Sequence, residues 1–384
     1  MGNSPHTINS PIAPAKETLL QCRAYYVMIP LLLLTAMVGH AATPWPNAYR
    51  FFGRWDLRTA QRAVTVNSGS YILARFSGPG LRATFDVSVN QAHCVCTAQG
   101  SFPTIAWRID EGKWQEAEVA PTVKLADGLT RGRHSVMLMV RGLDEHQSRW
   151  KPPLVASVTF TGFDLAKGGK LEAPLPQWRK PALSIEFLGD SITEGVVVQE
   201  GRAGVVEGMP FTWPWLADAR SSYAGQTALR LGAEWRQVGF GATGLARAGS
   251  GGAPGALDSF DFFYAGCPRD AWQPDVVVVN QGTNEGPMPA SEYQPLYARY
   301  LAMIRQAYPK AKIVALRPFC GAQEASIKAA ASACQAAGDA RVYYIDTTGW
   351  YNGPLHPNVT GSAALAEKLA YALKSEVLTT KTSL

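Results

Sequence analysis

The chain has 384 residues, of which 47% are hydrophobic and 17% charged. That balance excludes a disordered chain and supplies enough apolar mass for two packed domains. A formal charge of +6, spread without a basic run, excludes nucleic acid as the main partner and leaves solubility and weak attraction to acidic surfaces as its consequences.

Tyr25 to Val38 is apolar, follows Lys16 and Arg23, and precedes Gly39-His40-Ala41. A basic lead, a short apolar core and small residues at a cleavage point predict a signal peptide over residues 1–41, and with it a secreted or periplasmic protein. An uncleaved anchor is the alternative, although the core is short for a membrane span; no other transmembrane segment and no stable membrane partner are expected. Cleavage removes Cys22 and leaves Cys94, Cys96, Cys267, Cys320 and Cys334, an odd number. Cys320 and Cys334 bracket a predicted helix and are placed to be bridged. Cys94 and Cys96, same-face neighbours, are poor candidates for bonding, and Cys267 reads as a buried small side chain. No cysteine pattern has zinc spacing with histidines, and no cofactor is expected.

Residues 43–175 read as all-β. Ser70 to Phe76, Leu81 to Val89, Thr104 to Ile109, Lys113 to Val119, His134 to Val140 and Val155 to Phe160 are short runs rich in β-branched and aromatic residues. Turns such as Gly78-Pro79-Gly80, Asp110-Glu111-Gly112 and Ala126-Asp127-Gly128 separate them, which predicts a β-sandwich or jelly roll. Ala173 to Pro181 is proline-rich and reads as a linker.

Over residues 183–378 the pattern changes to alternating strands and helices. Strands are predicted at Ser184 to Leu188, Trp235 to Gly239, Asp275 to Asn280, Lys312 to Arg317 and Arg341 to Asp346. Helices are predicted at Tyr223 to Leu231, Glu292 to Ala307, Ala322 to Ala337 and Gly361 to Val377. Tyr293, Leu296, Tyr297, Tyr300, Leu301 and Ile304 recur at helical spacing and form one buried stripe, so these tyrosines are core and not ligand contacts. Val276 to Val279 is apolar on both faces, as a central parallel strand must be. The segment Val196 to Arg220, with Phe211, Trp213, Pro214 and Trp215, is long for a connection and is either a functional lid or platform or a packed structural loop.

Ile185 to Gly195 (IEFLGDSITEG) reads as a strand, a tight Gly-Asp-Ser turn and a helix start. That geometry lifts the Ser191 hydroxyl off the carboxyl edge of a sheet, where ligands of open α/β sheets bind. Gly241-Ala242-Thr243-Gly244, Gly282-Thr283-Asn284-Glu285 and Leu355-His356-Pro357-Asn358 follow in that order. Serine, glycine, asparagine and histidine in this sequence resemble the four blocks of the SGNH (GDSL-type) hydrolases. The resemblance implies a three-layer α/β sandwich with a flavodoxin-like parallel sheet.

Each block has a chemical reading. The serine hydroxyl needs a base to become a nucleophile, and His356 can take its proton and return it to the leaving group. Asp190 reads as a turn or cap residue. The Ser191 N–H, the Gly244 N–H and the Asn284 amide would form a three-donor oxyanion hole, with Gly241 the neighbouring alternative to Gly244. The family pattern places an aspartate three residues before the histidine, and here that position is Gly353. A backbone carbonyl, Asn352 or Asp346 is then left to orient His356, and a Ser–His dyad is the favoured reading.

A β-sandwich followed by an SGNH domain after a signal peptide is similar to carbohydrate esterase family 2. Phe52-Gly53-Arg54, Asn67-Ser68-Gly69-Ser70, Ser222-Tyr223-Ala224 and Leu231-Gly232-Ala233-Glu234 also resemble it. The resemblance implies metal-independent removal of O-acetyl groups from polysaccharide sugars, with an acetylated carbohydrate as partner and aromatic side chains lining the cleft. Trp213, Trp215, Trp350 and Tyr351 are the candidates for stacking on a sugar ring. The competing readings are a carbohydrate-binding protein with a vestigial hydrolase domain and a GDSL-type esterase of lipids or short-chain esters.

Overall fold

The structure, a computed structural model, describes residues 45, 47–94, 102–178, 181–200 and 213–379. The expected signal peptide, Cys22, Cys96 and Phe211 lie outside the described residues.

Two antiparallel sheets build the N-terminal part. One has the strand order Tyr49–Phe52, Tyr71–Ser77, Arg133–Gly142, Thr104–Ile109, Gln115–Glu118, with Lys170–Glu172 also pairing with Tyr71–Ser77. The other runs Asp56–Thr59, Arg62–Thr65, Val158–Leu165, Leu81–Phe85, Thr122–Ala126. Period-two alternation directs Ile72, Ala74 and Phe76 of the first sheet and Ala83, Phe85 and Phe160 of the second into a shared core. The opposite side of the first sheet is also apolar. Tyr71 stacks on Phe52 at 4.7 Å and lies 4.6 Å from Trp235, and Met137 and Met139 join the same cluster, so this face packs on the second half of the chain. Leu81 to Val89 is shorter as a strand than the sequence suggests: it ends at Phe85, and a short helix, Ser88–His93, follows.

Five parallel strands form the second half: β1 (Ser184–Gly189), β2 (Glu234–Gly239), β3 (Val276–Asn280), β4 (Lys312–Leu316) and β5 (Val342–Ile345). Their order is β2-β1-β3-β4-β5, the flavodoxin-like arrangement. The helices that frame the sheet and the site are α1 (Ser191–Glu194), α2 (Tyr223–Leu231), α3 (Ala290–Ala307), α4 (Glu324–Ala336) and α5 (Val359–Ala372); two further single turns, Trp213–Leu216 and Ala256–Ser259, lie in the connections. Along β3, Val276 and Val278 join the cluster that α2 and α5 cover, while Val277 and Val279 join the one that α3 and α4 cover. All four valines are fully buried, which accounts for the absence of polar alternation in this strand. The predicted tyrosine stripe of α3 is buried at Tyr293, Tyr297 and Tyr300.

Two cysteine expectations change. No disulfide joins Cys320 and Cys334, whereas Cys94 is disulfide-bonded. Cys320 is exposed beyond the N-terminal end of α4, so bracketing a helix in sequence did not bring the two sulfurs together. Cys267 is buried, as expected. Among the described residues, no helix is long and apolar enough to cross a membrane.

Candidate active site

The strand order reverses direction between β1 and β3, and the loops that leave these two adjacent strands open at the same sheet edge. Ser191 leaves β1 and Asn284 follows β3. Asp190 caps α1: its backbone is extended and its side chain accepts from the Ile192 N–H at 2.9 Å. Gly195 closes the helix in a left-handed conformation. Ser191 is thereby the first helical residue, and its N–H has no acceptor within the helix.

His356 comes from the loop between β5 and α5. Its Nε2 lies 2.9 Å from Ser191 Oγ, so the structure brings together the hydroxyl and the ring that the sequence pairs. Burial holds the imidazole pKa below its ordinary value, which keeps the ring neutral and able to accept a proton.

The carboxylate question has a geometric answer. Asp346 turns back on its own loop, accepting from the Thr348 N–H at 2.9 Å and the Thr348 hydroxyl at 2.6 Å, and it lies 3.8 Å from Arg317. The histidine–carboxylate ion pairs among the described residues are His134–Asp110 and His146–Asp144; His356 forms none, and the carboxylate that acts on it, at longer range and against its burial, is that of Glu200. Asn352 is exposed, and neither its amide nor a main-chain carbonyl hydrogen-bonds the His356 ring among the described residues. Tyr351 occupies the space of the missing aspartate. A Cβ at Gly353 would lie 2.5 Å from the Tyr351 hydroxyl and 2.6 Å from its ring, and one at Gly361 would lie 2.7 Å from that ring. The tyrosine fills the turn that carries His356.

Asn284 reaches toward the serine turn. Its Nδ2 donates to Thr243 O at 3.0 Å and to Asp190 Oδ2 at 3.2 Å, tying the second and third blocks to the first. Asp190 is fully buried, and desolvation pushes its pKa up to about 7 against the backbone hydrogen bond from Ile192. Gly244 is occupied: its N–H donates to Arg247 O at 3.1 Å, so it is not a free oxyanion donor in this structure. Sequence reading missed two groups that brace the loop. Arg247 Nη1 donates to Asn284 O at 2.9 Å, and the buried Glu285 carboxylate accepts from the Leu245 N–H. Glu285 adjoins Asn284 in the same block, and this adjacency was the available signal.

The four candidate aromatics do not converge. Trp213 lies 4.7 Å from the His146 ring. Trp215 donates from its indole N–H to Glu118 at 3.1 Å and carries the Arg141 guanidinium over its ring, so both its polar end and one face are taken up by the sandwich. Trp350 lines an open groove of about 720 Å³ with Asp346, Glu367, Lys368 and Tyr371. Tyr351 is the packing ring beneath the histidine turn. Among the described residues, no group of three or more His, Cys, Asp or Glu could hold a metal.

Residues 187–364 match the GDSL-like Lipase/Acylhydrolase family. The α/β half is a GDSL-like acylhydrolase domain. The GDSL assignment makes the chain a carboxylic ester hydrolase, and the likeness extends beyond that domain. A family two carbohydrate esterase from Clostridium thermocellum, solved with cellohexaose, is 25% identical with a TM-score of 0.67, covering 85% of this chain and 98% of that one. A family two carbohydrate esterase from Cellvibrio japonicus is 22% identical with a TM-score of 0.68, covering 85% and 95%. An acetyl xylan esterase from Butyrivibrio proteoclasticus is 19% identical with a TM-score of 0.63, covering 87% and 96%. No curated protein matches the chain by sequence. The matched GDSL region contains both Ser191 and His356, and nearly the whole length of each solved relative aligns, sandwich included.

Proposed function

We propose that this protein is an exported esterase that removes O-acetyl groups from polysaccharide or oligosaccharide sugars through an acyl-enzyme on Ser191. The observation that carries the reading is the 2.9 Å contact between Ser191 Oγ and His356 Nε2. The family match supports ester hydrolysis, and the cellohexaose complex of the Clostridium thermocellum relative supports a carbohydrate ligand. The sandwich is taken to be a jelly roll, residues 1–41 a cleaved signal peptide, residues 43–175 the sandwich domain and residues 183–378 the catalytic domain.

In the first step Ser191 Oγ bonds to the acetyl carbon while its proton passes to His356 Nε2. The carbonyl oxygen becomes an oxyanion. The Ser191 N–H and the Asn284 amide, released from Thr243 or Asp190, are its donors; Gly244 joins only by exchanging its bond to Arg247. The tetrahedral intermediate collapses, the C–O bond to the sugar breaks, and the imidazolium returns its proton to the departing hydroxyl. Water, deprotonated by the same ring, then attacks the acetyl-serine and releases acetate. Burial disfavours the imidazolium, so the ring is neutral when it takes each proton, first from Ser191 and then from water.

Of the aromatics, Trp350, which lines an open groove, is proposed to stack on a sugar ring; Trp213 rests on the His146 ring, and Trp215 and Tyr351 are engaged within the protein. The deciding experiment is a panel of acetylated sugars and esters of increasing acyl length, run on wild type and Ser191→Ala. Acetate release from sugar esters, lost in Ser191→Ala, supports the reading. Preference for long acyl chains points to a lipid esterase, and polysaccharide binding without hydrolysis points to a binding protein.

A further inference from the structure

The sandwich half contributes one side chain to the catalytic helix. Arg149 follows the strand Arg133–Gly142 and is fully buried. Its guanidinium forks onto Glu194: Nη2 donates to Oε2 at 2.8 Å, and Nη1 pairs with Oε1. Glu194 is the last residue of α1, and Ser191 is the first. The same guanidinium lies 4.9 Å from the ring centroid of Phe240, which leads into the glycine loop of the second block. The Arg149 N–H donates to Gly251 O at 3.0 Å, toward the far end of that loop. Its neighbour Glu145 presses against Gly241, where a Cβ would meet the Glu145 carboxylate at 1.5 Å.

α1 has only four residues. A single turn of helix does not hold its own direction, because nucleation costs more than one hydrogen bond returns. Asp190 and Gly195 cap its ends, and from the α/β half Gln237 Nε2 donates to Glu194 O at 3.2 Å while the Thr193 hydroxyl lies 2.8 Å from that of Tyr223. The bidentate guanidinium adds a directional restraint from the sandwich half, since its fork donates to both oxygens of the Glu194 carboxylate in one plane. Stability alone explains the pair poorly, because a buried ion pair is often no better than an apolar substitute.

We propose that Arg149 is a positioning residue for the reaction, holding α1 so that the Ser191 hydroxyl faces His356; this rests on the reading of Ser191 as nucleophile. The sandwich is then part of the catalytic apparatus as well as a neighbour of it.

The test uses the full chain, an aryl acetate and a fluorophosphonate that labels the active serine. Arg149→Met lowers kcat about 10²-fold with KM within about twofold, and it slows labelling of Ser191 by a similar factor, the size expected of a small misplacement. The double variant Arg149→Met/Glu194→Met removes both charges; it regains thermal stability but not kcat. Wild-type kcat and labelling in Arg149→Met overturn the proposal, as does a double variant that recovers Tm and kcat together. Should Arg149→Met fail to fold, the double variant decides alone: low kcat supports the role and wild-type kcat overturns it. Ser191→Ala keeps the two readings apart. Activity in Ser191→Ala defeats the nucleophile assignment, whereas an inactive Ser191→Ala beside a wild-type Arg149→Met defeats only the positioning role.

Discussion

The Asn284 amide rests 3.2 Å from the Asp190 carboxyl, so the third block of the site is hydrogen-bonded to the residue just before the serine. With Thr243 O accepting from the same nitrogen at 3.0 Å, one side chain links the loops after β1, β2 and β3. Both bonds hold the amide at the edge where an oxyanion would form.

Asn284→Ala is expected to lower kcat by about 10² to 10³ with little change in KM, because the amide, once released from Thr243 or Asp190, donates mainly to developing charge. Steady-state kinetics on an aryl acetate measure this. An effect confined to KM would move Asn284 to substrate binding.

Asp346→Asn should leave kcat within about twofold of wild type, against a loss on the order of 10⁴ for a carboxylate that orients a catalytic histidine. The expectation follows from the bonds of Asp346 to Thr348, which point it along its own loop. A collapse of kcat would mean that the carboxylate reaches His356 during turnover.

Restoring the family acid by Gly353→Asp should destabilise the protein by about 1 to 3 kcal/mol, the usual cost of overpacking. The new Cβ would meet the Tyr351 hydroxyl at 2.5 Å. Thermal unfolding reads the loss. Combining it with Tyr351→Ala should recover much of it, and equal Tm values for the single and double variants would show that the two positions do not compete for space.

The acid limb of kcat/KM should have its midpoint below 6.5, the ordinary histidine value, because burial of His356 disfavours the imidazolium. The free base is the active form, so activity falls as pH drops through this depressed pKa. The stability sign agrees: below 6.5 the unfolded chain binds the proton more readily than the folded one, so this residue favours unfolding as pH falls. A pH–rate profile of wild type checks the limb, and a midpoint above 6.5 would contradict it.

Much of the α/β half is legible in the sequence because its signals are local. β1, β3 and α2 fall where period and capping place them, and the valines of β3 announce a strand buried on both faces. Tyr49–Phe52, Asp56–Thr59, Arg62–Thr65 and Thr122–Ala126 are not legible as strands, since each is short and mixes polar and apolar residues. Within the site, Ser191 and His356 follow from motif order. Tyr351 does not: its residue type suits a sugar platform, and only the close approach of Gly353 and Gly361 reveals a packing ring. Arg149 and Glu194 carry no mutual signal either, because 45 residues separate them and nothing in either neighbourhood names the other.

The hydroxyl and the imidazole that meet at 2.9 Å stand 165 residues apart in the chain. Strands β2 to β5 lie between them, and β5, at the far edge of the sheet, must dock before its following loop can deliver His356. On the proposed Ser191–His356 mechanism, ester turnover is a clock for assembly: it starts only when the last strand is in place. Closing contacts this distant in sequence is the slow part of forming a parallel sheet. Activity recovered after dilution from denaturant should trail the return of helical and sheet signals, and truncation before β5 would silence a serine that is itself untouched.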